Sequence, residues 1–262
     1  MPNPISEAIA LTLVGSGLAI ARVWYLCAAS EFSLEDFLMI LVSHGLANNG
    51  ITMEERITIG LDTQEYKARV SGSTAQFAGL LIHTCFFFFL KLAICMSLLR
   101  ISQEMKQYRP WVIIGFVLTI LIFAGVLPAL VLVCQPLGMN WQINPDPGYY
   151  CHPGNSVLDL ILTAGINGIA YLCVVSIPLP ILWDKKQSMY RRTAVLLLSA
   201  GGWAVAGMGI ARCVLVVKAQ DSLDAISRAW AVRELFTAVS TTSAFDMLIM
   251  FFNNKAEEAK GG

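Results

Sequence analysis

Residues 111–134 read WVIIGFVLTILIFAGVLPALVLVC and contain no Asp, Glu, Lys, Arg or His. About 20 apolar residues, at a rise of ~1.5 Å each in an α-helix, cross the hydrocarbon core of a lipid bilayer. This uncharged run therefore predicts a transmembrane helix and indicates an integral membrane protein.

The rest of the 262-residue chain has the composition of a membrane protein. Hydrophobic residues make up 56% and charged residues 14%, against roughly 25% charged residues in soluble domains. The formal net charge of zero gives no indication of nucleic-acid binding. Six further apolar stretches accompany residues 111–134, so that the fold class predicted is all-α, a seven-transmembrane helix bundle forming one domain over residues 1–262. The predicted spans are 6–28, 36–60, 75–99, 110–134, 156–183, 193–217 and 227–252.

Two of these spans need a decision. The first is also similar to a signal peptide, but Arg22 lies late in it and no basic region precedes it, which favours a transmembrane helix. The second is interrupted near one end by Glu54, Glu55 and Arg56. We keep both as predicted spans.

The distribution of Lys and Arg predicts the orientation, because cytosolic loops carry an excess of these residues. The loops after spans three and five and the C-terminal tail share one side and hold nine of them, whereas the opposite loops hold four. The acidic loop 29–35 departs from this pattern. The balance predicts an outer N-terminus and a cytosolic C-terminus.

Cys134 and Cys151 flank the long loop between spans four and five, on the predicted outer side. An oxidising compartment allows a disulfide to persist there, and closing this loop would stabilise the fold by about 3 kcal/mol in the chain-entropy model. Two unpaired thiols are the alternative. Metal-binding Cys or His spacing is absent from the sequence, and no metal site is predicted.

Several ordered patterns between Glu35 and Glu234 are also informative together. They are Glu35-Asp36, Lys91-Leu92 with Arg100, Cys134-Gln135-Pro136 with Trp141 and Cys151, Asn167 with Pro178-Leu179-Pro180 and Trp183, Gly202 with Arg212, and Trp230 with Glu234. In this order the patterns resemble the fungal rhodopsin-domain integral membrane proteins. That family includes satratoxin-cluster-type proteins of secondary metabolism and pathogenicity-related receptor-like proteins.

The resemblance implies a seven-span membrane fold and a role in a metabolite pathway or in sensing. Two positions depart from the family pattern. Tyr171 stands where the family usually has an Asp seven residues before its Pro-x-Pro, and Ala244-Phe245-Asp246 stands where it usually has a Pro at the end of span seven.

Three carboxyl groups are candidate proton donors. Glu54 and Glu55 are adjacent at the predicted outer mouth of span two, and Asp159 lies near the outer mouth of span five. Desolvation and like charge at such a mouth raise carboxyl pKa values, and a protonated carboxyl can act as a general acid on an alkene or epoxide. The alternative is that both Glu side chains are solvated at the headgroups beside Arg56.

Other ionisable groups lie within predicted spans, where they are costly unless they face the bundle interior with a partner. Lys91 in span three is a ligand or counter-ion site, or it extends towards the cytosolic end or pairs with an acid. Arg212 in span six pairs structurally with Glu234 or a neighbour, or it belongs to a functional site together with Tyr171. His44 and His83 are predicted interior histidines, and Pro178 and Pro180 are predicted to kink span five.

Missing motifs exclude several classes of function. Span seven has no Lys for a retinal Schiff base, and three histidines are too few for a membrane di-iron site. Asp-rich diphosphate, P-loop, nucleophile-elbow and zinc-protease motifs do not occur, and no cofactor is predicted.

Two functions remain, and the sequence leaves open whether the protein is an enzyme. One is a metal-free membrane-embedded cyclase or isomerase that acts on a lipophilic intermediate in a secondary-metabolite pathway. The other is a receptor-like protein that senses a lipophilic or surface cue and signals to a cytosolic partner. Metabolite export is weaker, because no inverted repeat is evident. The predicted partners are the bilayer and a lipophilic small molecule, in the endoplasmic reticulum or plasma membrane.

Overall fold

The computed structural model describes residues 51, 53–60, 62–102, 107–152, 156–182, 189–218, 230–231 and 233–248. The chain divides into two units, residues 1–40 and 41–262, and every described residue belongs to the second. The predicted first span, most of the second span, and His44 lie outside the described residues. So do the Glu35-Asp36 pair and six of the thirteen basic residues used to predict the orientation.

The described residues form helices and loops, with no β-strand among them. The α-helices are α1 (Met53–Thr58), α2 (Gln64–Ser102), α3 (Arg109–Leu132), α4 (Val157–Leu160), α5 (Asn167–Ser176), α6 (Met189–Lys218) and α7 (233–248). Within this part of the chain, four segments are long and apolar enough to cross a membrane, namely Gln64–Leu99, Arg109–Leu132, Leu158–Ser176 and Arg192–Leu215. They coincide with predicted spans three to six.

Helix α3 shows which face of an apolar helix packs within the bundle and which faces are exposed to lipid. Its buried residues, Val112, Gly115, Thr119, Val126 and Leu130, are spaced three, four or seven apart and so form one face of the helix. Large apolar side chains on its other faces are exposed. Because lipid is as apolar as the bundle interior, this sequence shows little helical periodicity even though only one face is buried.

The predicted fifth span is not one regular α-helix. A π-helix at Ile161–Ile166 joins α4 to α5, and a 3-10 turn at Leu179–Leu182 follows Ser176. The predicted kink at Pro178 and Pro180 is instead the end of the α-helix. Neither proline has an N–H to donate to the preceding turn, so the α-helical hydrogen-bond ladder stops before them.

The π-helix arranges the polar residues of this span. Asp159, Thr163, Asn167 and Tyr171 are four residues apart and all buried. In an α-helix of ~3.6 residues per turn a four-residue spacing drifts by about 40° at each step. The wider π-turn holds more residues per turn and reduces that drift. One side of the helix therefore carries all four polar side chains towards the bundle interior.

Glycines in α6 set the closest approaches between helices. A Cβ added at Gly201 would overlap the side chain of Thr241 in α7, and one at Gly202 would overlap Val175 in α5. Further along α6, a Cβ at Gly209 would lie 3.2 Å from the carboxylate of Glu234 in α7, whereas no described residue lies within 4 Å of a Cβ at Gly207. Small residues therefore let α6 approach α5 and α7 closely at several positions.

The loop after α3 is held at both ends. Cys134 and Cys151 form the predicted disulfide, with their Cα atoms 5.0 Å apart. Between them, buried Arg56 of α1 donates a hydrogen bond to the carbonyl of Ile143 at 3.0 Å, and its guanidinium lies 3.7 Å from the carboxylate of Asp146. The disulfide and Arg56 thus tie this loop to α3 and α1.

Candidate functional site

The three candidate proton donors lie in two different environments. The side chains of Glu54 and Glu55 in α1 are exposed, so the protein itself does not desolvate them. Asp159 is 4% exposed, and its backbone N–H donates a hydrogen bond to the hydroxyl oxygen of Ser156 at 3.1 Å. Of the three, Asp159 has the buried environment that acid catalysis on a lipophilic substrate requires.

Lys91 is the most unusual buried group of the bundle. It is 2% exposed, and its ammonium donates a hydrogen bond to Oδ1 of Asn167 at 2.7 Å. Among the described residues, no carboxylate lies within 4 Å of the ammonium. The two sequence interpretations, extension towards the cytosolic end and pairing with an acid, are therefore replaced by a hydrogen bond to a neutral amide.

The hydrogen bond from Lys91 determines how the amide of Asn167 is oriented. An ammonium has only donors, so the amide oxygen must face it and the NH₂ group must face away. That NH₂ nitrogen is buried and has no hydrogen-bond partner among the described residues. The Lys91–Asn167 pair, meaning these two side chains, thus presents buried donors that lack an acceptor.

Tyr171 lies one helical turn beyond Asn167 on α5, next to the Lys91–Asn167 pair. It is fully buried, its hydroxyl is 3.5 Å from that of Thr242 in α7, and its ring meets Phe87 edge-on with centroids 6.4 Å apart. A phenol at the position where the family usually has an Asp brings no negative charge close to Lys91.

Arg212 has the partner that its sequence context predicts. Its guanidinium lies 3.6 Å from the carboxylate of Glu234, and the two residues are 5% and 3% exposed. Arg212 also donates to the hydroxyl of Thr163 at 3.4 Å. This contact links α6, α7 and the π-helix, and it balances the charge of Arg212 within the protein, unlike that of Lys91.

Two further polar contacts surround these groups. The ring centroid of His83 lies 4.9 Å from that of Phe87. His83 is also close enough to Arg212 for the two side chains to interact electrostatically. Ser97 in α2 donates a short hydrogen bond to the carboxylate of Asp246 in α7. Within the described part of the chain, no group of three or more His, Cys, Asp or Glu side chains could hold a metal ion.

Sequence reasoning missed three participants: Asn167 as the partner of Lys91, and the hydroxyls of Thr163 and Thr242. The signal available was the four-residue spacing from Asp159 to Tyr171, which repeats polar residues within an apolar stretch. A regular α-helix would have spread these residues over a third of its circumference. Only the π-helix brings them to one side.

Together, several membrane-crossing helices and a buried set of polar side chains define a multi-pass helical membrane protein. A comparison with protein-family models matched the fungal rhodopsin domain over residues 21–246, which is most of the chain. The chain belongs to this family. Comparisons with curated proteins and with solved structures found no match.

Proposed function

We propose that the chain forms a single seven-span bundle with an outer N-terminus and a cytosolic C-terminus. The four candidate spans coincide with predicted spans three to six, and α7 lies within predicted span seven. The Cys134–Cys151 disulfide supports an outer position for the loop after α3, because disulfides persist in oxidising compartments.

We propose that the protein is a metal-free, membrane-embedded cyclase or isomerase that acts on a lipophilic intermediate of a secondary-metabolite pathway. The observation that carries this proposal is the buried Lys91 held by a neutral amide. Burying an uncompensated cation is costly, and ionisable residues within membrane helices commonly mark substrate or ion pathways. Such an ammonium can orient a polar group of a substrate and stabilise developing negative charge.

The acid in this reaction is proposed to be Asp159, whose buried position on the side shared with Asn167 favours it over Glu54 and Glu55. Cyclisation of an alkene or epoxide begins with protonation, for which a buried carboxyl group can serve as the general acid. The two exposed glutamates remain candidates at the outer mouth and serve as a test of the alternative.

The test uses membranes that contain the protein, incubated with an organic extract of a strain lacking it. Wild-type membranes should convert a compound that accumulates in this extract without any added cofactor. Lys91→Met and Asp159→Asn should each reduce the conversion at least tenfold, whereas Lys67→Met, an exposed site on the same helix, should not. Conversion lost in the Glu54→Gln/Glu55→Gln double variant, with Asp159→Asn active, would move the acid to the outer mouth.

A receptor-like role is the second candidate. The hydrogen bond between Ser97 and Asp246 favours it, because this bond joins α2 to α7 near the ends that precede the predicted cytosolic loop and tail. A ligand that separated the two helices there would alter the cytosolic face. Ser97→Ala would then change the capture of a cytosolic protein, in the endoplasmic reticulum or plasma membrane, without changing the metabolites.

A further inference from the structure

The donors of the Lys91–Asn167 pair define what would satisfy them. Lys91 has three N–H donors and Asn167 two, and the described residues provide one acceptor, the Oδ1 atom of Asn167 itself. Within the same part of the chain, the NH₂ nitrogen of Asn167 is buried with no partner. A buried donor that is left unsatisfied destabilises the protein, and a charged one does so more strongly. The missing partner is therefore a compact acceptor that contacts both residues.

The charge of that partner follows from the surroundings. Lys91 supplies one positive charge, and among the described residues no negative side chain lies close enough to balance it. Arg212, by contrast, is a buried cation whose charge is balanced by Glu234 at 3.6 Å. A group with a single negative charge would neutralise Lys91, whereas a phosphate monoester would leave an excess negative charge in the bundle.

The apolar neighbours restrict the rest of the molecule. Phe87 and Ile94 lie about one turn on either side of Lys91, Ala170 and Val174 follow Asn167, and all four are buried. These side chains offer no further hydrogen bonds to a polar ligand. Where it meets these four side chains the ligand is expected to be hydrocarbon, and its polar head is the group that meets the pair.

We propose that the Lys91–Asn167 pair binds the carboxylate of a lipophilic acid. Both carboxylate oxygens accept hydrogen bonds, one from the ammonium of Lys91 and one from the amide NH₂ of Asn167. The inference rests on the proposed function in that the acid is the substrate class of the same interior site. Lys91 then holds the head of the substrate, and the chemistry occurs along its hydrocarbon part.

The test is a competition assay with the full chain in lipid nanodiscs and tritiated palmitic acid as the probe. Unlabelled palmitic acid should displace the probe at a concentration at least tenfold lower than methyl palmitate, which has the same chain without the charge. Lys91→Met should weaken probe binding at least tenfold. Lys67→Met, which removes an exposed charge from the same helix, should leave it unchanged.

Asn167→Asp provides a variant in which loss of binding is separable from misfolding. Its carboxylate would lie where Oδ1 now meets Lys91, so it would pair with the ammonium and keep the contact between α2 and α5. We expect its thermal stability to equal or exceed that of the wild type, and its affinity for the probe to fall at least tenfold. The introduced carboxylate would already neutralise the ammonium of Lys91, so the ammonium would no longer attract the carboxylate of the probe.

Three results would overturn the inference: no saturable binding of palmitic acid to the wild type, equal displacement by acid and ester, or wild-type affinity in Asn167→Asp. The proposed function can be refuted independently of this inference. Acid-selective binding without turnover in the membrane assay would refute the enzyme and keep the acid site. Turnover of a substrate with no acidic group would refute the acid site and keep the enzyme.

Discussion

The buried contact between Arg212 and Glu234 permits a quantitative prediction. Their charged atoms lie 3.6 Å apart. Two unit charges at that distance attract by about 4–5 kcal/mol at an effective dielectric constant of ~20, and the hydrogen bond from Arg212 to Thr163 adds about 1 kcal/mol. Removing one partner leaves the other as an uncompensated buried charge, which costs about 3–5 kcal/mol.

Arg212→Met should therefore lower the unfolding temperature in nanodiscs by about 6–20 °C, given ~2–4 °C per kcal/mol for a chain of this size. Glu234→Gln should do the same, and the double variant should lose much less than the sum of the two. We expect a coupling free energy of at least about 2 kcal/mol, measured by a double-mutant cycle on thermal unfolding.

Arg233→Met is the matched control, because Arg233 is exposed on the same helix as Glu234 and its guanidinium lies over the ring face of Trp230, 5.3 Å from the centroid. It should change the unfolding temperature by less than about 3 °C, since an exposed cation–π contact contributes about 0.5–1 kcal/mol. Losses in Arg212→Met and Glu234→Gln that add to within about 0.5 kcal/mol would refute the coupling, whatever the size of each loss.

Three further predictions concern the loop after α3 and the packing of α6. Reducing the Cys134–Cys151 disulfide, or replacing both residues by Ser, should cost about 3 kcal/mol in thermal unfolding, because the released loop gains conformational entropy in the unfolded chain. Partial burial alone would raise the pKa of Asp146, but the Gly148 N–H, the His152 ring and the Arg56 charge together hold it below its usual value. The stability this provides is present above about pH 4 and is lost as the pH falls through the lowered pKa, so Asp146→Asn should flatten the decline in unfolding temperature between about pH 5 and pH 2. Gly201→Ala should destabilise by about 1–3 kcal/mol, because the new methyl group overlaps a side chain of α7.

Each of these has its own control and contrary outcome. Reductant should leave the double Ser variant unaffected, and a wild type equally stable with and without reductant would contradict the disulfide's role. If the unfolding temperature of Asp146→Asn depends on pH as that of the wild type does, the pKa of Asp146 is not lowered in the folded state and the prediction is wrong. Gly207→Ala has open space around the new methyl group, so a loss as large as that of Gly201→Ala would contradict the packing argument.

Features determined by local composition were predictable from the sequence. Predicted spans three to six appear as long helices because a charge-free run is stable only as a helix in lipid, whatever its neighbours. The disulfide followed from its place between two spans. The pairing of Arg212 with Glu234 followed from the cost of an unpaired charge in a bilayer.

Features that depend on helix register were not predictable. The π-helix at Ile161–Ile166 has no distinctive composition, and without it the side of span five that faces Lys91 could not be derived. The close contacts at Gly201 and Gly202 depend on how far α6 is displaced along its neighbours, which hydropathy does not report. In the candidate site, Lys91 was identified from its isolation in an apolar span, but its partner Asn167 was not.

The most direct test of the proposed function compares small-molecule extracts of the parent strain, a deletion strain, and a strain carrying Lys91→Met at wild-type membrane levels. If the protein is a pathway enzyme that uses this lysine, the deletion and Lys91→Met strains should both accumulate the same uncyclised or unisomerised precursor and lose the same product. An unchanged metabolite profile in the deletion strain, together with altered growth or surface responses, would contradict the enzyme and favour the receptor-like role.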